Sequence, residues 1–341
     1  MARRIFISDV HMGARRRPGR YEYDWLDYNE GVTFVKFLKH IGDIEDGATG
    51  VVLLGDILDN WICPHDERPP SFGDIFAAHA DVVDAIGELL NKGMSVTFVE
   101  GNHDMHIART DLDAAFGGHA NLKCADRYLA GGVHAEHGNS FDPFNEKPNG
   151  PGVLYGFPIG YFISRIVAAK LAIKNSEKKP TIEIACNAFK ALVGHGDVAV
   201  KVLDTFIEDA GLDANLDFTM PDGAVVGADV VRAAYRDTDL SLSIKDLRPR
   251  ADDLSKDRDD IKLVIFGHTH RKVLVPLDLA DDTDPNSFTR VYANGGTWSS
   301  GEAPGYIEVE PDSRDIHMNH VRLMEWKEGG PRRRDTLLLT I

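Results

Sequence analysis

Cysteine is scarce. The 341-residue chain has three, Cys63, Cys124 and Cys186, and no two of them are close in sequence. Neither a Cys-x-x-Cys motif nor a disulfide framework is available, and free thiols in a reducing cytosol are the expectation. A long uninterrupted apolar run is missing too. The most apolar window, 152–173, contains Pro158, Arg165 and Lys170, which argues against a membrane-spanning helix. Behind the basic Met-Ala-Arg-Arg start stands only Ile5-Phe6-Ile7, too short for a secretory signal, so a cytoplasmic protein is expected. Basic charge is in deficit, with 38 Lys and Arg against 54 Asp and Glu and a net charge of −16. That excess repels phosphate backbones and excludes a general nucleic-acid binder. It leaves room for a small anionic substrate, because bound cations dominate the local field of a metal site. There is no internal repeat and no low-complexity segment.

What the chain has is an apolar fraction of 43%, enough for one large domain or two ordinary ones. It also has one pattern that keeps returning: a short apolar strand, then Asp, His or Asn in the first residues beyond it. Arg4-Ile-Phe-Ile7 leads into Ser8-Asp9-Val10-His11. Val51 to Leu54 leads into Gly55-Asp56-Ile-Leu-Asp59-Asn-Trp61. The strand around Ser95 to Val99 leads into Gly101-Asn102-His103-Asp104, where Gly101 is expected to allow a sharp turn. Arg127–Ala130 and Val133–His137 flank Gly131-Gly132, a hairpin signal, and the second strand closes on His137-Gly138. Ile261 to Phe266 leads into Gly267-His268-Thr269-His270, followed by Arg271.

Between these motifs, the apolar spacing predicts helices over Val32–Ile41 and Ile75–Leu90. The αβ alternation argues for a layered α/β sheet. Predominantly helical patterns run from about Tyr155 to Asp246, broken at Lys178-Lys-Pro180 and Pro221-Asp-Gly223, and a charged connector runs from Leu247 to Asp260. Further strands are expected at Val273–Leu277, Thr289–Ala293, Tyr306–Glu310 and Ile316–Val321, with a turn at Asn294-Gly-Gly296. The division that follows is a core formed by 1–150 and 261–341, interrupted by a helical insert at 151–260.

The strand ends deliver Asp9, His11, Asp56, Asn102, His103, His137, His268 and His270. In open α/β sheets, sites gather at the carboxyl ends of strands. Seven such ligands suffice for two divalent metals when a carboxylate such as Asp56 bridges them, and one group is left for proton transfer. Two metals can clamp the attacking and leaving oxygens of a displacement at phosphorus. Mixed nitrogen and oxygen ligation suits manganese, iron or zinc better than magnesium or calcium, with manganese the leading expectation.

Each motif has a plainer alternative. Asp9 and Ser8 could simply cap a turn. Gly13 to Arg20, with Arg15, Arg16 and Arg17, reads either as a solvated charge run or as a loop that holds phosphate. Asp59 reads as a structural or outer residue, and Trp61 as core or as a pocket wall. His195, in Gly194-His195-Gly196, imitates the His137 motif but lacks a strand before it. His40, His65, His79, His106, His119 and His134 read as surface or hydrogen-bonded histidines.

Asp-x-His, Gly-Asp-x-x-Asp, Gly-Asn-His-Asp, His-Gly and Gly-His-Thr-His, in that order and each after a strand, resemble the calcineurin-like metallophosphoesterases. The resemblance spans residues 9 to 270. It implies two packed β-sheets flanked by helices, with two metals at one edge. Asp9, His11, Asp56 and His270 match the ligands of one metal. Asp56 as bridge, Asn102, His137 and His268 match those of the other. His103 matches the family's general acid, with Asp104 orienting it, and the nucleophile would be a hydroxide bridging the metals.

Gly-Asn-His-Asp and Gly-Asp-x-x-Asp-Asn differ from the protein serine/threonine phosphatase patterns. Asp56, Asp59 and Trp61 look more like bacterial UDP-2,3-diacylglucosamine hydrolase-like members, although those usually carry Arg where this chain has His103 and have a shorter insertion. The expected partner is therefore a small phosphorylated or nucleotide-diphosphate substrate, with Arg15, Arg16, Arg17, Trp61 and Arg271 as candidate contacts. The contrasting class is a non-catalytic interaction scaffold on the same fold, which would be expected to lose ligands that this chain keeps. The apolar stretch Tyr155–Lys170 reads as packing within a helical cap. A lid over an apolar part of the substrate, or a peripheral contact with the inner membrane, is the functional alternative.

Overall fold

The computed structural model describes residues 3–14, 24–26, 28–43, 49–147, 154–173, 198–236, 246–278, 287–299, 302–311, 318–327 and 330–340. The first strands set the architecture. β1 (Arg4–Ile7), β2 (Gly50–Leu54) and β3 (Ser95–Val99) are buried almost throughout. Side chains alternate between the two faces of a strand. Ile5, Ile7, Val51, Leu53, Val96 and Phe98 therefore join one apolar cluster, and Phe6, Val52, Leu54 and Val99 join another. Both faces are covered, which is why the strands read as continuous apolar runs rather than as alternating ones.

The first cluster is closed by four helices: α1 (Tyr28–Asp43), α2 (Phe72–Ala78), α3 (Ala80–Asn91) and α4 (Arg109–Phe116). The second lies between two sheets. Eight strands form one sheet, in the order β11 (Ser287–Phe288), β15 (Gly330–Thr340), β14 (Met318–Lys327), β13 (Gly305–Pro311), β1, β2, β3, β4 (Leu122–Ala125). Five form the other: β10 (Lys272–Pro276), β12 (Val291–Gly295), β9 (Leu263–Phe266), β6 (Val133–Ala135), β5 (Tyr128–Ala130). The second sheet's outer face is covered at Val264, Phe266 and Tyr292 by Leu247 and Ala251, from the helix that spans Arg248–Asp257. The expected fold, two packed sheets between helices, is what the chain adopts. β1 to β4 run parallel, as do β6 and β9, so within each sheet these strands end at one edge.

Residues 154–173 and 198–235 pack around a further apolar cluster, which also takes in Trp61, Met105 and Phe144. α5 (Ile159–Ile173), α6 (Val198–Ala210) and α7 (Ala228–Tyr235) pack with a two-stranded hairpin of β7 (Asp217–Thr219) and β8 (Val225–Gly227). Pro221-Asp-Gly223, read above as a helix break, is the turn of that hairpin. Phe157, Tyr161, Phe162, Ile163 and Ile166 are buried inside this core. The apolar face of α5 is thus spent on packing and is not presented to a bilayer. No helix among the described residues is long and apolar enough to cross a membrane.

Other departures from expectation have local causes. The helix expected over 75–90 is two helices, because His79 leaves helical geometry and turns its buried ring toward the Gly13 carbonyl at 2.9 Å and the Asp24 carboxylate at 3.2 Å. The charged connector contains α8 (Arg248–Asp257), with Pro at its start, where a missing N–H costs nothing. Because α8 packs on β9, it belongs with the sheet rather than with the insert. Asn294 and Gly295 continue β12 opposite β10, and the turn starts only at Gly296. The long strand β15 was not foreseen: its exposed Arg-Arg-Arg-Asp segment has no apolar signature, and its ladder to β14 holds it.

Candidate metal centre

The motif loops meet at the strand ends. The loop after β1 runs beside the loop after β2, with Asp9, Val10, His11 and Met12 donating to the carbonyls of Gly55, Asp56, Asp56 and Ile57 at 2.9–3.1 Å. This pairing holds an uncommon backbone. Asp9, His11, Asp56, His268 and His270 all have positive φ, between 52° and 64°. An L side chain in that region costs on the order of 1 kcal/mol. Among the described residues only two other non-glycines, His106 and Leu154, share the feature, so the strain concentrates on the candidate ligands.

Three groups of ligand atoms result among the described residues. Asp9, His11 and His270 form the first, Asp56, His137 and His268 the second, and His11, Asp59 and His103 a third that shares His11 with the first. In the first, His270 Nε2 lies 3.2 Å from Asp9 Oδ1 and 3.1 Å from His11 Nε2. In the second, His137 Nε2 lies 3.1 Å from Asp56 Oδ2, and His268 Nδ1 lies 3.1 Å from Asn102 Oδ1. Asp56 Oδ2 stands between the first two groups, 3.8 Å from His11 Nε2, while Asp56 Oδ1 accepts the backbone N–H of His103 at 2.8 Å.

These residues fit a pair of divalent cations. Ligands about 2.1 Å from one ion at right angles lie roughly 3 Å from each other, the spacing seen here. His137 Nε2 is buried and has the Asp56 carboxylate beside it, at 3.1 Å, so the two atoms can face one shared ion. Burial opposes ionisation of Asp56, yet the facing His137 and His103 hold its carboxyl well below the usual range. Burial likewise opposes a charge on His137, and Asp56 overrides it, raising that imidazole to about 10. A cation would take the place of those protons, since ligands must be deprotonated to bind.

The outer partners fix the tautomers. His11 Nδ1 lies 3.1 Å from Asp59 Oδ2, His137 Nδ1 donates to the Leu54 carbonyl at 3.0 Å, and His268 Nε2 lies 2.9 Å from Asp142 Oδ2. Each leaves its other nitrogen for the ion, the usual carboxylate–histidine–metal arrangement. Asp142 was not singled out in the sequence. It sits in a Pro- and Gly-rich loop, where no periodicity marks one Asp above another.

One expected role changes. Asp104 does not orient His103. Its carboxylate accepts the backbone N–H groups of Gly101 at 2.6 Å, Asp56 at 3.2 Å, Ile57 at 2.8 Å and Leu58 at 3.2 Å, so it ties the second loop to the third. The residue beside His103 is Asp59, whose Oδ2 is 2.9 Å from His103 Nδ1. Burial works against a charge on either member. The neighbouring imidazoles nevertheless lower Asp59 to about 2, and Asp59 with Asp56 raises His103 to about 9. Cations bound nearby would pull His103 back down.

Trp61 is fully buried, in the apolar cluster that holds the insert. Its ring lies against His103 at 4.5 Å and meets Tyr161 of the insert at 5.7 Å. Arg271 is exposed next to His270. Arg15, Arg16, Arg17, Cys186 and His195 lie outside the described residues. A cavity of ≈ 290 Å³, lined among others by Glu100, Gly101, Met105, Arg127, His137 and Lys147, adjoins the second group.

The motif glycines are set by close approach. A Cβ on Gly101 would fall 2.3 Å from Asp56 Oδ1 and 2.4 Å from Asp56 N. Gly101 is not among the glycines with positive φ, so crowding by Asp56, and not a sharp turn, excludes a side chain there. Gly101→Ala is expected to displace Asp56 and so to weaken metal retention, with a loss of stability of about 1–3 kcal/mol from overpacking. Urea denaturation and manganese content after gel filtration would measure both. Two tightly held ions in a variant of unchanged stability would contradict this.

The family model for calcineurin-like phosphoesterases matches residues 2–272. The chain belongs to that family. In this calcineurin-like phosphoesterase the match takes in every candidate ligand from Asp9 to His270. The chain is also similar to curated proteins named UDP-2,3-diacylglucosamine hydrolase. It is 30% identical over 105 residues to that of Aeromonas hydrophila, covering 31% of this chain and 34% of the relative. With that of Stenotrophomonas maltophilia it shares 31% over 100 residues, 29% and 32% of the two chains. With that of Actinobacillus succinogenes it shares 27% over 136 residues, 40% and 46%. The chain thus spans between a third and a half of the length of these relatives. A solved structure, phosphopantetheinyl hydrolase from Mycobacterium tuberculosis, aligns over 86% of this chain and 89% of its own at 12% identity, with a TM-score of 0.26, too low to establish a shared fold.

Proposed function

We propose that the chain is a binuclear metal-dependent hydrolase of phosphate esters or diphosphates. The observation that carries the reading is the position of Asp56 Oδ2 between the first two ligand groups, 3.1 Å from His137 and 3.8 Å from His11. Asp9, His11 and His270 would hold one ion, and Asn102, His137 and His268 the other, with Asp56 shared. When bound, the ions supply positive charge that acidifies water and stabilises the oxygens of a phosphoryl group in displacement; the nitrogen and oxygen donors suit manganese, iron or zinc.

The remaining work falls to the chain. His103 is 18% exposed at its side chain, the accessible member of its dyad, and its other ring nitrogen would give a proton to the leaving oxygen. Asp59 holds the ring and favours its protonated form, and Trp61 closes the ring off from behind. The name carried by the relatives describes a uridine diphosphate sugar with two acyl groups. We extend only its diphosphate to this chain, because the matched part is limited and α5 is used in packing.

His103→Ala is expected to leave two ions bound and to cost on the order of 10²–10⁴ in rate for an alkoxide leaving group, the range of a positioned general acid. The cost should shrink for nitrophenyl esters, whose leaving group needs little protonation. Steady-state kinetics on both substrate types would decide. An equal loss on both would remove the acid role from His103.

A further inference from the structure

We infer that the turn from Asp142 to Asn145 is the outer clamp of the second metal position, and that it couples that position to the insert. The inference rests on the two-metal reading above and adds residues that neither the motifs nor the ligand groups contain.

The clamp acts by deciding which atom of each ligand faces inward. Asn102 could present either end of its amide. Its Nδ2 is 3.4 Å from Asn145 Oδ1, so its Oδ1 is left to face His268 Nδ1 at 3.1 Å. His268 could carry its proton on either nitrogen. Asp142 Oδ2, 2.9 Å from Nε2, draws the N–H there and leaves the Nδ1 lone pair facing inward. The two positioning residues hold each other: Asn145 Nδ2 donates to the same Asp142 oxygen at 2.8 Å. The Phe144 amide donates to Asp142 Oδ1 at 3.1 Å, and Asn139 Nδ2 donates to the Asn145 carbonyl at 3.1 Å. Among the described ligands, those of the first group have no contact of this kind with the turn.

The insert rests on the same turn. Gly160, in the first turn of α5, donates its N–H to the Phe144 carbonyl at 2.9 Å, and the Phe144 side chain lies in the insert's apolar core. A Cβ on Gly160 would fall 2.4 Å from Asn145 Oδ1 and 2.7 Å from the Phe144 carbonyl. Only a residue without a side chain lets α5 approach while Asn145 keeps its bond to Asn102.

The test is a manganese titration of the full, metal-stripped chain by calorimetry, with thermal melts in chelator alongside. The wild type is expected to take two ions. Asp142→Ala and Asn145→Ala should raise the Kd of one ion roughly 10–100-fold, the usual effect of losing an outer partner, and leave the other within a few-fold. Asp142→Asn, which keeps an acceptor oxygen, should recover much of the loss. Gly160→Ala should weaken the same ion although Ala is the better helix former. Melts of the Asp142 and Asn145 variants in chelator should be little changed, while the stabilisation added by manganese shrinks; Gly160→Ala, which overpacks α5 against the turn, should also melt somewhat lower in chelator. If the wild type takes two ions and these variants bind both unchanged, the clamp is refuted. It is equally refuted if both ions weaken together and the chelator melts fall, since that is a fold defect. If the wild type takes only one ion, the two-metal reading itself fails. Should Asp142→Ala not fold, Gly160→Ala and Asp142→Asn decide by the same readout.

Discussion

Asp56→Asn is expected to lower turnover by at least roughly 10³-fold, the equivalent of several kcal/mol of lost charge stabilisation at the reacting phosphorus. The reason is geometric. Asp56 Oδ1 is occupied by the His103 amide, so Oδ2 alone can be shared between the ligand groups. The substitution removes the negative charge from that atom and allows an NH₂ group to take its place. Manganese content should fall from two ions to one or fewer after gel filtration, while the sheets, whose buried strands do not depend on this side chain, stay folded. Elemental analysis paired with kinetics on a small phosphodiester would measure both. An Asp56→Asn protein that retains two ions and a tenth of the activity would sink the shared-ligand reading.

Arg165→Ala is expected to be the most destabilising single change in the insert. Arg165 is fully buried in α5, and among the described residues its hydrogen bonds go to oxygen atoms that carry no formal charge. Its guanidinium donates to the carbonyls of Pro64 at 2.8 Å, His65 at 3.0 Å and Thr219 at 2.6 Å, to Glu67 O, and to the Tyr161 hydroxyl at 3.1 Å. It joins three segments: α5, the 64–67 loop beyond Trp61, and β7. Its removal takes a donor from four carbonyls, of which those of Pro64 and His65 keep a backbone N–H, and empties a fully buried site in α5, so a loss on the order of 3 kcal/mol is expected. Arg165→Lys should rescue little, because a point charge with three donors cannot span the fork. Urea denaturation would give the magnitude, and hydrogen exchange would locate it: α5, α6 and the β7–β8 hairpin should lose protection before β1 to β3 do. Uniform loss across the chain, or a change below about 1 kcal/mol, would contradict the staple role.

The packing of the insert agrees with the reading of its apolar stretch as the inside of a helical cap. Trp61, which lies against His103, is packed into the same apolar cluster, and Arg165 holds the loop that follows it.

The strands and the candidate ligands were legible in the chain before its fold. Strands buried on both faces must be apolar throughout, so β1, β2, β3 and β9 stand out as short runs, and although any one Asp or Asn past such a run could cap a turn, the recurrence of Asp, His or Asn after each run is what marks them. That is why Asp9, His11, Asp56, Asn102, His137, His268 and His270 could be named before any geometry was known. The helices α1 and α3 were legible by their spacing, and the hairpin between β5 and β6 by its paired glycines, both with positive φ. Tertiary structure decided everything that depends on a partner far along the chain. Asp59 and Asp104 are both acids three or four residues past a motif glycine. Only packing shows that the first touches two imidazoles while the second is filled by four backbone amides. Asp142 meets His268 across 126 positions, and Gly101 is glycine because Asp56 crowds it. β15 is a strand because β14 pairs with it, and its own residues carry no such preference. Local pattern records what each residue needs from its immediate neighbours and from burial; a hydrogen-bond acceptor or a forbidden Cβ is set by whichever distant segment arrives beside it, and that is fixed only when the sheets close.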